Sequence, residues 1–99
     1  MKRGMASSSS KLSAVRREID RLDGKMLRLV SKRARLALKI GRIKKRKKWP
    51  VYDPKREAFV LSSVQQANPG PLSDASVSKI FQTILRQCRR RERSGKKSR

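Results

Sequence analysis

The residues of this chain best placed to do chemistry are a few cations at helical spacing and a short acidic–basic cluster just downstream of them. Arg33 follows Leu22, Met26 and Leu29 on an apolar stripe and precedes Ala37 and Ile40. An unpaired guanidinium is costly to bury, so Arg33 calls for an anionic partner. Lys44 comes later on the same run, about 20° further round a helix and roughly 16 Å along it. The two side chains share a face and can converge on one ligand. Arg16 lies about 25 Å before Arg33 along that helix, too far for one small molecule to touch both within a chain. In an antiparallel pair of such helices, Arg16 of one copy approaches the pocket of the other. Asp53, Arg56 and Glu57 open the next helical segment, where side chains can point back across the preceding loop. A ligand held by several cations beside one carboxylate would be a dianion that also carries a hydroxyl. Plainer alternatives stand beside each reading. Arg33 can pair with an internal carboxylate, Arg16 can be an exposed helix arginine, and the Asp53 cluster can be a surface salt-bridge network.

The elements that must position these residues are helices. Leu12, Val15, Ile19, Leu22, Met26, Leu29, Val30, Leu36, Ala37, Ile40 and Ile43 recur at steps of three and four, the period of a helix buried on one side. The spacing predicts a first helix from Leu12 to about Arg46 that carries Gly24 and Gly41 as single weak points. Such a helix is roughly 50 Å long, whereas a compact domain of this size is only about 30–35 Å across. That mismatch predicts a second chain. Lys47 to Tyr52 reads as a loop, because the residue before Pro50 avoids helix. Asp53 is then an N-cap with Pro54 in the first turn, and the second helix runs to about Ala67, ended by Asn68, Pro69, Gly70 and Pro71. Ser73 caps a third helix that reaches about Arg93, with Val77, Ile80, Phe81, Ile84, Leu85 and Cys88 as its stripe. The expected fold class is all-α: three helices, the first very long, assembled as an intertwined helical homodimer.

Composition narrows the partners. The chain carries 29 Lys plus Arg against 7 Asp plus Glu, an imbalance that demands anionic partners. Residues 1–11, with the serine run Ser7 to Ser10, and residues 93–99 read as disordered basic tails around a domain spanning 12–92. Without those tails the charge is still about +15. Only 4% of residues are aromatic, a thin core that oligomerisation would reinforce. Cys88 is the sole cysteine and there is no histidine, so neither an internal disulfide nor a zinc or heme site is expected. No apolar run is long enough to cross a bilayer, and a soluble, cytoplasmic protein is the expectation.

Val15, Arg16, Ile19, Asp20, Leu22 and Asp23 together resemble the opening of the all-helical (AroQ-type) chorismate mutases. Leu36, Ala37, Ile40, Gly41 and Lys44 are similar to that family's continuation of the first helix. The stretch from Pro50 through Val51, Asp53, Arg56 and Glu57 resembles its most distinctive segment. Ile80, Phe81, Ile84 and Leu85 resemble its last helix. The match spans about Leu12 to Glu92. It implies a cofactor-free Claisen rearrangement of chorismate to prephenate in phenylalanine and tyrosine biosynthesis, in a homodimer with shared active sites. Carried over by position, Arg16 would cross the interface to one substrate carboxylate while Arg33 holds the other. Lys44 would reach the ether oxygen of the breaking C–O bond, and Glu57 would accept from the substrate hydroxyl. Asp53 and Arg56 would line and brace the entrance.

Two positions depart from the commonest family pattern. Cys88 stands where a serine often helps bind a carboxylate. Glu92 stands where many members carry a glutamine that donates to the ether oxygen; a glutamate can donate only when protonated. Glu92 lying idle in a frayed helix end is the plain alternative.

Two other readings use the same features. A related helical fold cleaves isochorismate to pyruvate and salicylate, and the cationic pocket suits that elimination too. The runs Lys44 to Lys48, followed by Trp49, and Arg89 to Arg91 suit a basic nucleic-acid-binding helical protein. No recognised nucleic-acid-binding signature accompanies them, so such binding is expected to be incidental.

Overall fold

In a computed structural model the described residues form three helices, α1 (Lys2–Lys47), α2 (Pro54–Ala67) and α3 (Asp74–Ser94). The structure describes the backbone of residues 2–94 and the side chains of residues 8–94. No strand occurs among the described residues. The all-helical expectation from apolar spacing is met, with both Gly24 and Gly41 carried inside α1.

The first helix differs from expectation at its start. It begins at Lys2 rather than Leu12, so residues 2–11, read from sequence as a tail, continue the helix. Nothing in that segment stops it: there is no proline, and extending an existing helix adds one hydrogen bond per residue fixed. At the other end α3 takes in Arg93 and Ser94, and residues 95–99 of the expected second tail lie outside the described residues.

The predicted helix boundaries have visible causes. Four basic residues, Lys44 to Lys47, occupy the last turn of α1, where they face the negative end of the helix dipole. Lys48 then adopts a left-handed conformation, φ 60°, and the Trp49 amide donates to the Lys44 carbonyl at 2.8 Å; this is the turn that ends many helices. Asp53 caps α2 by accepting the Arg56 amide at 3.1 Å, with Pro54 beside it. Ser73 caps α3 by accepting the Ser76 amide at 3.1 Å. Between α2 and α3, the Asn68 side chain donates to the Leu72 carbonyl and to Asp74. Those bonds fix the short turn through Pro69 and Gly70.

The chain divides into two units, Met1–Ser31 and Lys32–Arg99, with the border inside α1. The first is a length of helix whose described side chains include none that is buried. Leu12, Val15, Ile19, Leu22, Met26 and Leu29 are each about half exposed or more. The second unit holds the core. Ala37, Leu85 and Cys88 are buried there, and α2 packs on α3. Gly41 lets the α1 backbone meet α3 closely: a Cβ at this position would overlap the Glu92 carbonyl oxygen and lie 2.8 Å from the Glu92 Cα. No helix among the described residues is long and apolar enough to cross a membrane.

Candidate active site

The second unit encloses a cavity of about 480 Å³ between the C-terminal part of α1, the loop before α2, the start of α2 and the end of α3. Its size is that of a small-molecule site. Its apolar wall includes Leu36, Ala37, Ile40 and Val60, with Leu85 and Cys88 from α3. Into it are gathered Arg33, Lys44, Asp53, Arg56, Glu57 and Glu92. Seven of the eight residues singled out from sequence therefore line one cavity, Cys88 among them. The eighth, Arg16, is an exposed residue of the first unit and is not among the lining residues.

Lys44 is the most constrained cation. Its ammonium donates to the Val51 carbonyl at 2.7 Å and to Glu92 Oε1 at 2.9 Å. Both side chains of the Lys44–Glu92 pair are 16% exposed. An ammonium has three donors, so these two bonds leave one over. Glu92 is thus no frayed end; the close approach at Gly41 brings its backbone against α1 one turn from Lys44.

Glu57 is held by a residue that the sequence reading placed only in a basic run, not in the site. Arg89 donates through Nε at 3.1 Å and Nη2 at 3.3 Å to the two carboxylate oxygens. Its guanidinium also lies 4.8 Å from the centroid of the Tyr52 ring. A two-pronged pair of this kind fixes carboxylate orientation as well as charge. The sequence did carry a signal, the one that singles out Arg33. Arg89 is four residues beyond the buried Leu85, hence a cation on the apolar side of its helix. Asp53 and Arg56 sit at the rim, both exposed. The Asp53 carboxylate is engaged as a helix cap, and the Arg56 guanidinium lies 5.4 Å from the Phe59 ring centroid.

The lining alone contributes three cations and three carboxylates. Arg89, behind Glu57, offsets one of the carboxylates. What results is a partly apolar cleft lined by both signs of charge, with the Lys44 and Arg89 donors already oriented. A fold of three helices with such a cleft defines a class, and comparison with known proteins identifies it. The chain belongs to the chorismate mutase type II family, whose family model matches residues 15–93.

Individual proteins agree. A solved structure of chorismate mutase (form II) from Thermus thermophilus has a TM-score of 0.81 at 39% identity, covering 84% of this chain and 96% of that one. The chorismate mutase of Methanocaldococcus jannaschii is 32% identical, over 76% of this chain and 77% of its own. The bifunctional chorismate mutase/prephenate dehydratase of Pseudomonas aeruginosa is 40% identical over 83% of this chain. The chain spans about a quarter of the length of such bifunctional relatives, 24% in that case.

Proposed function

We propose that this protein is a chorismate mutase, converting chorismate to prephenate for phenylalanine and tyrosine synthesis, and that it works as a homodimer with shared active sites. The observation that carries the reading is the cavity that gathers Arg33, Lys44, Glu57 and Glu92 in a member of this family. The reaction is pericyclic: one C–O bond breaks as a C–C bond forms, and no covalent intermediate or cofactor is required. The protein has two tasks. It must hold the flexible enolpyruvyl arm over the ring, and it must stabilise negative charge developing on the ether oxygen.

Arg33 binds one substrate carboxylate with a planar two-pronged donor. Lys44 directs its remaining donor at the ether oxygen, its other two being tied to Val51 and Glu92. Glu57, steadied by Arg89, accepts from the substrate hydroxyl. Arg56 and Asp53 brace the rim, and Cys88 closes the wall as a weak donor at most.

Charge supports the dimer. With Arg89 counted behind Glu57, the site has four cations against three carboxylates. A dianion asks for more positive charge than that, and Arg16 from a second copy would supply it. The apolar stripe from Leu12 to Leu29, exposed along the first unit, is the surface through which the copies would pair. A reducing, cytoplasmic setting is consistent with a lone cysteine, the buried Cys88.

The test is direct. Chorismate added to the purified protein should be consumed with formation of prephenate, and Arg33→Ala should lower kcat/KM at least a hundredfold, about 2.7 kcal/mol of transition-state binding. Release of pyruvate and salicylate from isochorismate, without chorismate turnover, would move the assignment to the lyase.

A further inference from the structure

Beyond the runs of basic residues, α1 carries a basic pattern of longer range. Within the second unit, Lys32, Arg35, Lys39, Arg42 and Arg46 follow one another at steps of three and four. At 100° and 1.5 Å per residue they fall within an arc of about 80° along roughly 21 Å of helix. All five are exposed, and none forms an ion pair or side-chain hydrogen bond among the described residues. No acid lies between them in sequence. Taken by itself, the first unit repeats the same steps with Arg17, Arg21, Lys25 and Arg28, also exposed.

The ordinary solvated helix face alternates charge sign, because acid–base pairs three or four residues apart stabilise a helix and like charges repel. Here each neighbouring pair in the row repels. The row also stands apart from the cavity: Arg33, Ala37, Ile40 and Lys44 lie on the other side of the helix, about 150° away. These cations therefore have no part in holding the substrate proposed above.

We propose that this row is a docking surface for a nucleic-acid backbone, read by charge and not by sequence. Charge complementarity is the argument. One strand of a duplex carries a phosphate about every 3.4 Å of axis, so about 21 Å of duplex holds roughly six of them. The five cations of the row, about 4.5–6 Å apart along the helix, are comparable in number to those phosphates, not in spacing. An anionic membrane surface suits the row less well, since a helix lying on lipid buries an apolar face. In this unit the face opposite the row lines the cavity through Ala37, which is buried, and meets α3 at Gly41.

The experiment uses the full chain and a labelled mixed-sequence DNA duplex of about 24 base pairs, long enough to face the whole row, titrated over a series of salt concentrations. One variant carries Lys32, Arg35, Lys39, Arg42 and Arg46 all changed to Gln. A charge-matched control changes the exposed Lys55, Lys79, Arg86, Arg90 and Arg91 to Gln instead. Circular dichroism confirms that both keep their helix content. The row variant should lose at least tenfold in affinity, and its slope of log affinity against log salt should shrink by about four to five, near 0.9 for each phosphate no longer neutralised. The control should lose less than threefold. Equal losses in the two variants would mean that only net charge matters and would overturn the proposal. So would binding to phosphatidylserine-containing vesicles that depends on the row while duplex binding does not.

Discussion

Lys44 and Glu92 form an ion pair in the lining of the cavity proposed to hold chorismate. An ionised Glu92 accepts from Lys44 and cannot donate to an ether oxygen, whereas a protonated Glu92 or a glutamine can. Glu92→Gln should therefore exceed the wild type by about tenfold in kcat/KM, about 1.4 kcal/mol. Initial rates of the two proteins check this, and equal kcat/KM in both would remove Glu92 from the chemistry. Arg89 does not line the cavity but pairs with Glu57, which does. Arg89→Met should lower kcat/KM about tenfold through loss of a charge-assisted pair, and Arg89→Lys should restore part of it. Equal losses in both, with Tm falling in parallel, would mean that Arg89 only holds the fold.

At the scale of the helices, the caps at Asp53 and Ser73 and the break through Asn68 to Pro71 were legible because each depends on residue types within a few positions. Seven of the cavity-lining residues were singled out in the sequence for a related reason. A charge on an apolar stripe stands out in one dimension, and the resemblance supplied the positions where no such signal existed, as at Cys88 and Glu92. Three features were not read. The start of α1 at Lys2 follows from the absence of any stop signal, which spacing of apolar residues does not report. The Arg89–Glu57 pair joins residues 32 apart in sequence, and nothing local chooses that partner. Gly41 looked like a weak point in a long helix but is a point of contact, because α3 passes where its side chain would be. Gly41→Ala should push the Glu92 backbone away and with it the partner of Lys44. Overpacking of this kind costs about 1–3 kcal/mol, so thermal unfolding should show Tm lowered by roughly 4–8 °C for each kcal/mol. A variant with unchanged Tm and unchanged turnover would mean that the helices can part there without consequence.

The whole molecule raises the question of where Arg16 works. The first unit has an apolar stripe and no buried side chain of its own among the described residues, and a lone helix in water is held together only weakly. Pairing two such stripes would bury six large side chains per chain, each worth about 1.5–3 kcal/mol when fully covered. If the copies then share sites, the defects of Arg16→Ala and Arg33→Ala belong to different chains of the same site. Each variant alone should be nearly inactive. In a mixed dimer, one site receives both altered residues and the other receives neither. Co-expression in equal amounts gives mixed dimers in half the population, so about a quarter of wild-type turnover should return. Two affinity tags identify the mixed dimers, and sedimentation gives their mass. No recovery in isolated mixed dimers would place Arg16 in the site of its own chain or in none. A chain that sediments as a monomer while turning over chorismate would remove the shared site altogether and leave Arg33, Lys44 and Glu57 to bind the dianion unaided.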